Sequence, residues 1–227
     1  TQAMIENMFW LYVGKMSRFE RAGLDHVWSI HGSENHEMMH YSNALLALQA
    51  LKNSPTYRNH ALPDGRSVSA HYDAWNAYYR EYCVSRAEHG LLVEVFSMYG
   101  PSYTLPEIIN MRDFAEDEVL RDRMDKLLHL IWADWAVGQV VGVRGGGRTR
   151  LYQDDAKNVE RLTQWGDRDR WRSMSHYFLG TGEWWEQERV PNHPIHGAWF
   201  VYATTGYRLP DVIMDIAKDV KGRGEYT

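Results

Sequence analysis

The sequence predicts an all-α fold of α/α architecture, in which helices are paired through loops. Apolar residues recur at helical spacing along most of the 227 residues. Strand patterns are few, and the best of them, 91–96, is short enough to be an extended connection. Helical pairs with alternating aromatic and aliphatic faces are typical of α/α folds. A helical bundle or solenoid of another kind is the alternative architecture.

Three segments in the N-terminal part carry the helical pattern. Segment 4–13 spaces its Met, Leu and Tyr residues three and four positions apart. Segment 36–52 is a strong apolar helix that ends in the Lys-Asn-Ser-Pro stretch at 52–55. Segment 69–89 is rich in Tyr and follows the turn signal Leu-Pro-Asp-Gly at 62–65. These three segments predict the first helices of the fold.

The rest of the chain continues the pattern. Segment 106–115 begins with Pro106, a residue well suited to the first position of a helix. Segment 116–137 has acidic residues in its first turn, where they favour the positive end of the helix dipole. A glycine-rich loop, 142–148, ends this region. Shorter helices are predicted at 154–164, 167–178 and 209–219, the last opened by Pro210.

Bulk composition excludes several classes of protein. With 25 basic and 30 acidic residues the charge is near balance, so we expect neither a nucleic-acid nor an anionic-membrane partner. No apolar run reaches the roughly 20 residues needed to span a bilayer. Cys83, the only cysteine, leaves the compartment open and is expected to be a buried structural thiol. The chain begins at Thr1 without a signal peptide, so we expect a mature or excised piece of a longer protein.

The aromatic content is the first indication of a ligand class. Ten Trp and fourteen Tyr are many for this length. Aromatic faces stack on the apolar faces of sugar rings, and Tyr and Trp also carry a polar group. The adjacent pair Trp184 and Trp185 cannot both face one core on a helix, so at least one is expected in a groove or interface.

The stretch 32–40 has two incompatible interpretations. From His36 it spells H-E-x-x-H, the pattern that places two zinc ligands one helical turn apart with Glu37 as general base. The polar residues Gly-Ser-Glu-Asn precede it, so His36 is expected at the start of the helix instead of inside an apolar stretch. No third ligand follows at a suitable spacing. A zinc metallopeptidase is therefore the weaker hypothesis, and no metal-binding residue is assigned.

From Gly32 the same stretch spells G-S-E-N-H at the start of an apolar helix, where Ser33 or Asn35 would cap the helix. Two further polar clusters follow. One contains Glu94, Ser97, Tyr99 and Tyr103 in an irregular stretch that leads into a helix. In the other, glycines let the backbone turn tightly and present two arginines; its residues are Gly145, Gly146, Arg148, Arg150 and Tyr152.

In type and order these elements, which span residues 28–155, resemble the helical domain of bacterial polysaccharide lyases of the heparinase and alginate-lyase type and of their relatives. The resemblance implies an α/α toroid, an incomplete barrel of helical hairpins with little or no sheet. The ending 207–213 looks like the last helix before a β-rich domain. We therefore expect a single toroid-like domain over 1–227 that lacks a C-terminal β-rich domain, from a periplasmic or extracellular protein.

The resemblance also implies residue roles for β-elimination from a uronic acid. Asn35, with Arg148 or Arg150, would bind the carboxylate and stabilise the charge that develops on it. His36 would take the C5 proton, since an ordinary histidine pKa lies near 6.5. Tyr99 or Tyr103 would protonate the leaving glycosidic oxygen. The substrate-binding candidates are Glu34, Glu94, Arg150, Tyr152, His176, Trp184 and Trp185.

Two alternatives stay open at the level of sequence. A glycoside hydrolase on an α/α barrel needs two carboxylates about 5–10 Å apart across the scissile bond, and its candidates are Glu34, Glu37, Glu94 and Asp134. A helical domain that binds glycans without cleaving them fits the same aromatic content. In each case the expected partner is a polysaccharide or oligosaccharide, which is acidic under the preferred interpretation. No cofactor is expected, and the need for a metal ion stays open.

Overall fold

The computed structural model describes residues 1–30, 32–94, 97, 99–140, 143–144, 171 and 198–219. Over these residues the chain is mostly helical, which confirms the all-α class. A π-helical turn, Gly100–Thr104, precedes the fourth helix. The helices are α1 (Gln2–Met16), α2 (Glu34–Asn53), α3 (Val68–His89), α4 (Leu105–Phe114), α5 (Glu118–Gly138), α6 (Ala198–Thr204) and α7 (Asp211–Lys218).

The predicted helices that lie within the described residues are all present, with ends that shift by at most three residues. Ser67 caps α3, since its hydroxyl accepts a hydrogen bond from the Ala70 N–H. Gly90 ends α3 at φ 124°, a backbone conformation that favours glycine. At the start of α5, the Asp117 side chain accepts the Leu120 N–H. The predicted helices at 154–164 and 167–178 fall, apart from Trp171, outside the described residues.

Strand structure is confined, in the described part, to one short antiparallel pair. Strands β1 (Gln139–Val140) and β2 (Val143–Arg144) pair Gln139 with Arg144. The strand signal at 91–96 is not matched over 91–94, which form bends and an irregular connection. No described helix combines the length and the apolar character that crossing a membrane requires.

The chain divides into two compact units, residues 1–90 with 107–127, and residues 91–106 with 128–227. In the first unit α1 packs on α2, and α2 packs on α3. The core of the first unit is aliphatic along α2 and aromatic along α3, and its fully buried side chains include Val13, Leu45, Leu48, Leu51, Trp75 and Tyr79. Cys83 is buried against Met124, and burial raises the pKa of its thiol to about 12, as expected of a structural cysteine.

A buried polar chain ties the end of α1 to the loop before α3. The Trp75 indole N–H donates to Ser17 Oγ at 3.1 Å, and Ser17 Oγ lies 2.8 Å from His71 Nδ1. On the other side of the ring, His71 Nε2 lies 3.0 Å from Asp64 Oδ2. Because an ionised carboxylate only accepts, Nε2 carries the proton and Nδ1 accepts from the Ser17 hydroxyl. Each polar group in this chain is thereby satisfied.

Asp64→Asn is expected to destabilise the protein in a pH-dependent way. Burial raises the pKa of Asp64, but hydrogen bonds from Arg66 and His71 outweigh it and hold the pKa at about 2, below its ordinary 3.8. A depressed carboxyl pKa stabilises the fold above the unfolded value, and this contribution is lost as the pH falls through the folded value. With allowance for solvent screening we expect a loss of about 1 kcal/mol at pH 7.

Urea unfolding of wild type and Asp64→Asn at a series of pH values checks this. The difference in unfolding free energy should hold steady above about pH 5 and shrink between about pH 4 and pH 2. A difference in unfolding free energy that stays constant down to pH 2 would contradict the lowered pKa of Asp64. Asp25→Asn is the control, because the Asp25 side chain is exposed and lies 3.7 Å from His26 Nε2.

The second unit has an aromatic centre. Trp132 packs edge-to-face against Trp135 and Trp171, with ring centroids 5.7 and 5.8 Å apart. The Trp171 indole N–H donates to the Ser97 carbonyl at 2.8 Å. A Cβ at Gly100 would lie 2.6 Å from the Trp171 ring, so only glycine permits this close approach. The indole thus holds the start of the π-helical turn against the unit's core.

Candidate functional site

The predicted G-S-E-N-H segment forms the entrance to α2, in the first unit. Ser33 occupies the N-cap position, but its hydroxyl donates to Asn35 Oδ1 at 2.5 Å and makes no cap bond to the backbone. The Glu37 carboxylate instead reaches back and accepts the Gly32 N–H at 2.8 Å. The helix starts at Glu34, two residues earlier than predicted. His36 therefore lies in its first turn, as the polar residues that precede it in the sequence predict.

His36 and His40 stand one turn apart on α2, with stacked rings whose centroids are 6.3 Å apart. His36 is exposed and His40 is half-buried. Burial, together with the nearby His36, lowers the pKa of His40. At neutral pH the His40 imidazole is therefore mainly uncharged and able to accept a proton.

Glu37 faces the same end of the helix and has a raised pKa. Burial of the half-buried carboxyl is the main cause, partly offset by the Gly32 hydrogen bond and by the charge of Arg21. A carboxyl group of this kind holds its proton to higher pH than an exposed glutamate does. It can therefore donate or accept a proton closer to neutrality.

A buried ion pair lies beneath the helix entrance. Arg86 Nη1 on α3 lies 3.1 Å from Glu34 Oε1, and the side chains are only 2% and 4% exposed. The guanidinium is also held between two rings, 4.2 Å from the centroid of Trp28 and 4.7 Å from that of Tyr82. This arrangement fixes the first turn of α2 on α3 and thereby the position of Asn35 and His36.

A small pocket adjoins the ion pair. Its volume is about 20 Å³, enough for one water-sized group. Val27, Ser29 and Ile30 close one side of it. The other walls are helical, from Glu34, Glu37 and Tyr41 of α2 and from Tyr78, Tyr82 and Arg86 of α3. A sugar ring does not fit in this volume, so any glycan would lie across the mouth and insert no more than one substituent.

Two arginines of the segment after α1, Arg18 and Arg21, bring positive charge to the region around Tyr41. Burial raises the pKa of Tyr41 and the Glu37 charge raises it further, while Arg21 and Arg18 lower it. Tyr41 therefore keeps its proton at neutral pH. Arg21 Nη1 is buried and has no hydrogen-bond partner among the described residues. The first unit thus brings a tyrosine and two arginines into the electrostatic range of the α2 entrance.

Tyr99, Tyr103 and Glu94 belong to the second unit. The rings of Tyr99 and Tyr103 have centroids 5.8 Å apart, and both side chains are half-buried. The Tyr99 N–H donates to Ser97 Oγ at 3.2 Å. Glu94 lies in the irregular connection after α3 and is half-buried. The sequence predicts an irregular stretch for both tyrosines, but Tyr99 precedes the π-helical turn in helical geometry and Tyr103 lies within it, and this turn brings their rings together.

Asn35 and Glu34 are buried, Asn35 to 4% exposure. The Asn35 oxygen accepts the Ser33 hydroxyl. Glu34, predicted to bind substrate, faces Arg86 instead of open solvent. The remaining predicted site residues, Arg148, Arg150, Tyr152, His176, Trp184 and Trp185, lie outside the described residues.

Sequence reasoning overlooked Arg21, Tyr41 and the role of Arg86. A signal was present for Tyr41, because it follows Glu37 by four residues and so shares its helix face. Arg86 is 52 positions from Glu34, and only the packing of α3 on α2 brings them together.

The zinc interpretation gains no support from the geometry. Within the described part of the chain, no group of three or more His, Cys, Asp or Glu side chains is arranged to hold a metal ion. The His36 and His40 rings stack on each other.

Comparisons with protein-family models, with curated proteins and with solved structures found no match to this chain.

Proposed function

We propose that this protein is a polysaccharide lyase that cleaves a uronate-containing glycan by β-elimination on an α/α toroid-like domain, in the periplasm or outside the cell. The observation that carries the proposal is the entrance to α2. On that helix an exposed imidazole, His36, stacks on His40, and Glu37 and Tyr41 line a tyrosine-walled pocket. Acid–base groups, aromatic surface and nearby arginines are the components that this elimination needs.

In the proposed reaction His36 takes the C5 proton, the C4–O bond breaks, and the leaving oxygen is protonated by a tyrosine. The arginines and the Asn35 amide neutralise the uronate carboxylate while charge develops on it. Tyr99 or Tyr103, with Arg148 or Arg150, are the residues that the family resemblance supplies for these roles. In the first unit Tyr41, whose pKa is raised, and Arg21 offer the same chemistry.

A glycoside hydrolase is the second candidate, because Glu34 and Glu37 line one pocket. Glu34 is held by Arg86, whereas burial raises the pKa of Glu37. Two carboxyl groups in different environments, one ion-paired with an arginine and the other with a raised pKa, resemble the pair that a hydrolase uses.

Product chemistry distinguishes the candidates. The protein is incubated with a panel of uronate-containing polysaccharides, and the products are examined for the ultraviolet absorbance of an unsaturated uronic end. We expect this absorbance to rise. Reducing ends without the absorbance would establish hydrolysis, and binding without any turnover would indicate a glycan-binding domain; either result would overturn the lyase proposal.

His36→Ala is expected to lower kcat by about 100-fold or more, because general base catalysis typically contributes 10²–10⁴-fold. The loss should occur without a change in helical circular dichroism, since His36 is exposed. His60→Ala is the matched control, because His60 is an exposed histidine that packs on Trp10 and Tyr57 at a distance from α2's entrance. Unchanged turnover in His36→Ala would remove His36 from the mechanism.

A further inference from the structure

The pocket beside the Glu34–Arg86 ion pair contains polar atoms that nothing in the described part of the chain satisfies. The Arg86 Nε–H and the Tyr82 hydroxyl are buried and have no hydrogen-bond partner there, while Arg86 Nη1 is engaged by the Glu34 carboxylate. Both residues line the pocket. An unsatisfied buried donor is costly, so native proteins rarely leave several around one cavity without a ligand or water to receive them.

The charges around this pocket decide what kind of group fits it. Arg86 and Glu34 form an ion pair at 3.1 Å, so their charges cancel. Glu37, the other ionisable acid of the lining, adds negative charge when ionised. A carboxylate on a ligand would be repelled by Glu37 when it is ionised, and the one arginine of the lining is already paired with Glu34. The charges around the pocket therefore favour binding of an uncharged group.

The hydrogen-bonding groups that line the pocket further restrict which ligand groups can bind in it. Arg86 can only donate, while the Glu34 and Glu37 carboxylates, when ionised, can only accept. A hydroxyl group matches this set because it accepts from one side and donates to the other. The walls supplied by Tyr41, Tyr78 and Tyr82 suit an attached CH₂, and burial raises the pKa of Tyr78 to about 12, so that ring stays uncharged.

We propose that this pocket is a subsite for the primary hydroxymethyl group of a neutral sugar unit. The volume of about 20 Å³ admits one such arm, while the ring stays outside at the mouth. This inference goes beyond the proposed elimination: it concerns binding of an uncharged unit, and it stands whether or not the chain cleaves a glycan.

Binding of simple glycosides tests the subsite without any turnover. The probes are the methyl glycosides of glucose, galactose and mannose, each compared with its 6-deoxy analogue and with its uronate. Affinity is measured by NMR titration, following the indole signal of Trp28, which contacts Arg86. At least one hydroxymethyl sugar should bind about tenfold more tightly than both of its analogues, because the analogues leave the pocket donors unpaired or bring in a charge.

Tyr82→Phe keeps the ring and removes the unsatisfied hydroxyl. It should reduce the preference for the hydroxymethyl sugar about fivefold or more. Tyr72→Phe, on the same helix but bonded to Glu116, should leave that preference unchanged. Equal binding of the 6-deoxy sugars, tighter binding of a uronate that depends on the Tyr82 hydroxyl, or no binding of any neutral probe would overturn the proposal; the last result would assign the pocket to structural water. Loss of lyase activity alone would not bear on it.

Discussion

Arg86→Met is expected to lower the free energy of unfolding by about 3–5 kcal/mol, the usual cost of leaving one member of a buried ion pair without its partner. The Glu34 carboxylate, which is 4% exposed, would lose its ion pair with Arg86, and the contacts of the guanidinium with Trp28 and Tyr82 would be lost. Chemical denaturation followed by circular dichroism measures the change. The first turn of α2 should lose protection against hydrogen exchange before the rest of the helix does.

The double variant Glu34→Leu/Arg86→Met distinguishes the cost of the unpaired charge from the cost of the lost packing contacts. Replacing both partners by apolar residues removes the stranded charge, so most of the lost stability should return. Arg80→Met is a matched control on the same helix, because Arg80 is half exposed and lies 3.5 Å from Asp117; it should cost about 1 kcal/mol or less. A single variant at Arg86 that costs no more than this control would contradict the account of the helix entrance.

Trp75→Ala is expected to cost about 3–5 kcal/mol, the range for removing a large buried aromatic side chain. Trp75 is fully buried, stacks on Tyr41 with centroids 4.4 Å apart, and donates its indole N–H to Ser17. The substitution removes the ring behind Tyr41 and one bond of the polar chain through His71. Thermal and urea unfolding measure the effect.

Trp10→Ala serves as the comparison for Trp75. Trp10 is half-buried and stacks on Tyr57 with centroids 5.3 Å apart, so its removal leaves less cavity and should cost about 1–2 kcal/mol. If Trp10→Ala and Trp75→Ala lower the free energy of unfolding by the same amount, Trp75 is not the centre of this unit's core.

The helices were predictable because periodicity and end signals are local. Apolar spacing along 36–52 and the turn at 62–65 locate α2 and α3 to within two residues. The start of α2 was placed two residues late, because Glu34 and Asn35 are polar and yet buried. Their burial depends on Arg86 and on Ser33, and a hydrophobicity pattern carries no such information.

The site was less predictable, for the reason that its contacts are long-range. Arg86 meets Glu34 across two packed helices, and His71 reaches Ser17 over 54 positions. Neither pairing follows from spacing along the chain. The position of His36 was predictable because it follows from one helical segment. The Tyr99–Tyr103 pair was expected in an irregular stretch, and the π-helical turn that holds it has no signal in the sequence pattern.

The central claim is that the entrance to α2 is where an acidic glycan is cleaved. The most direct measurement is a crystal structure of the His36→Ala variant with a bound uronate oligosaccharide. We expect a uronate ring over the first two turns of α2, with its C5 hydrogen facing the position that the imidazole occupies in the wild type. An oligosaccharide bound in a cleft that does not include residue 36 would contradict the account.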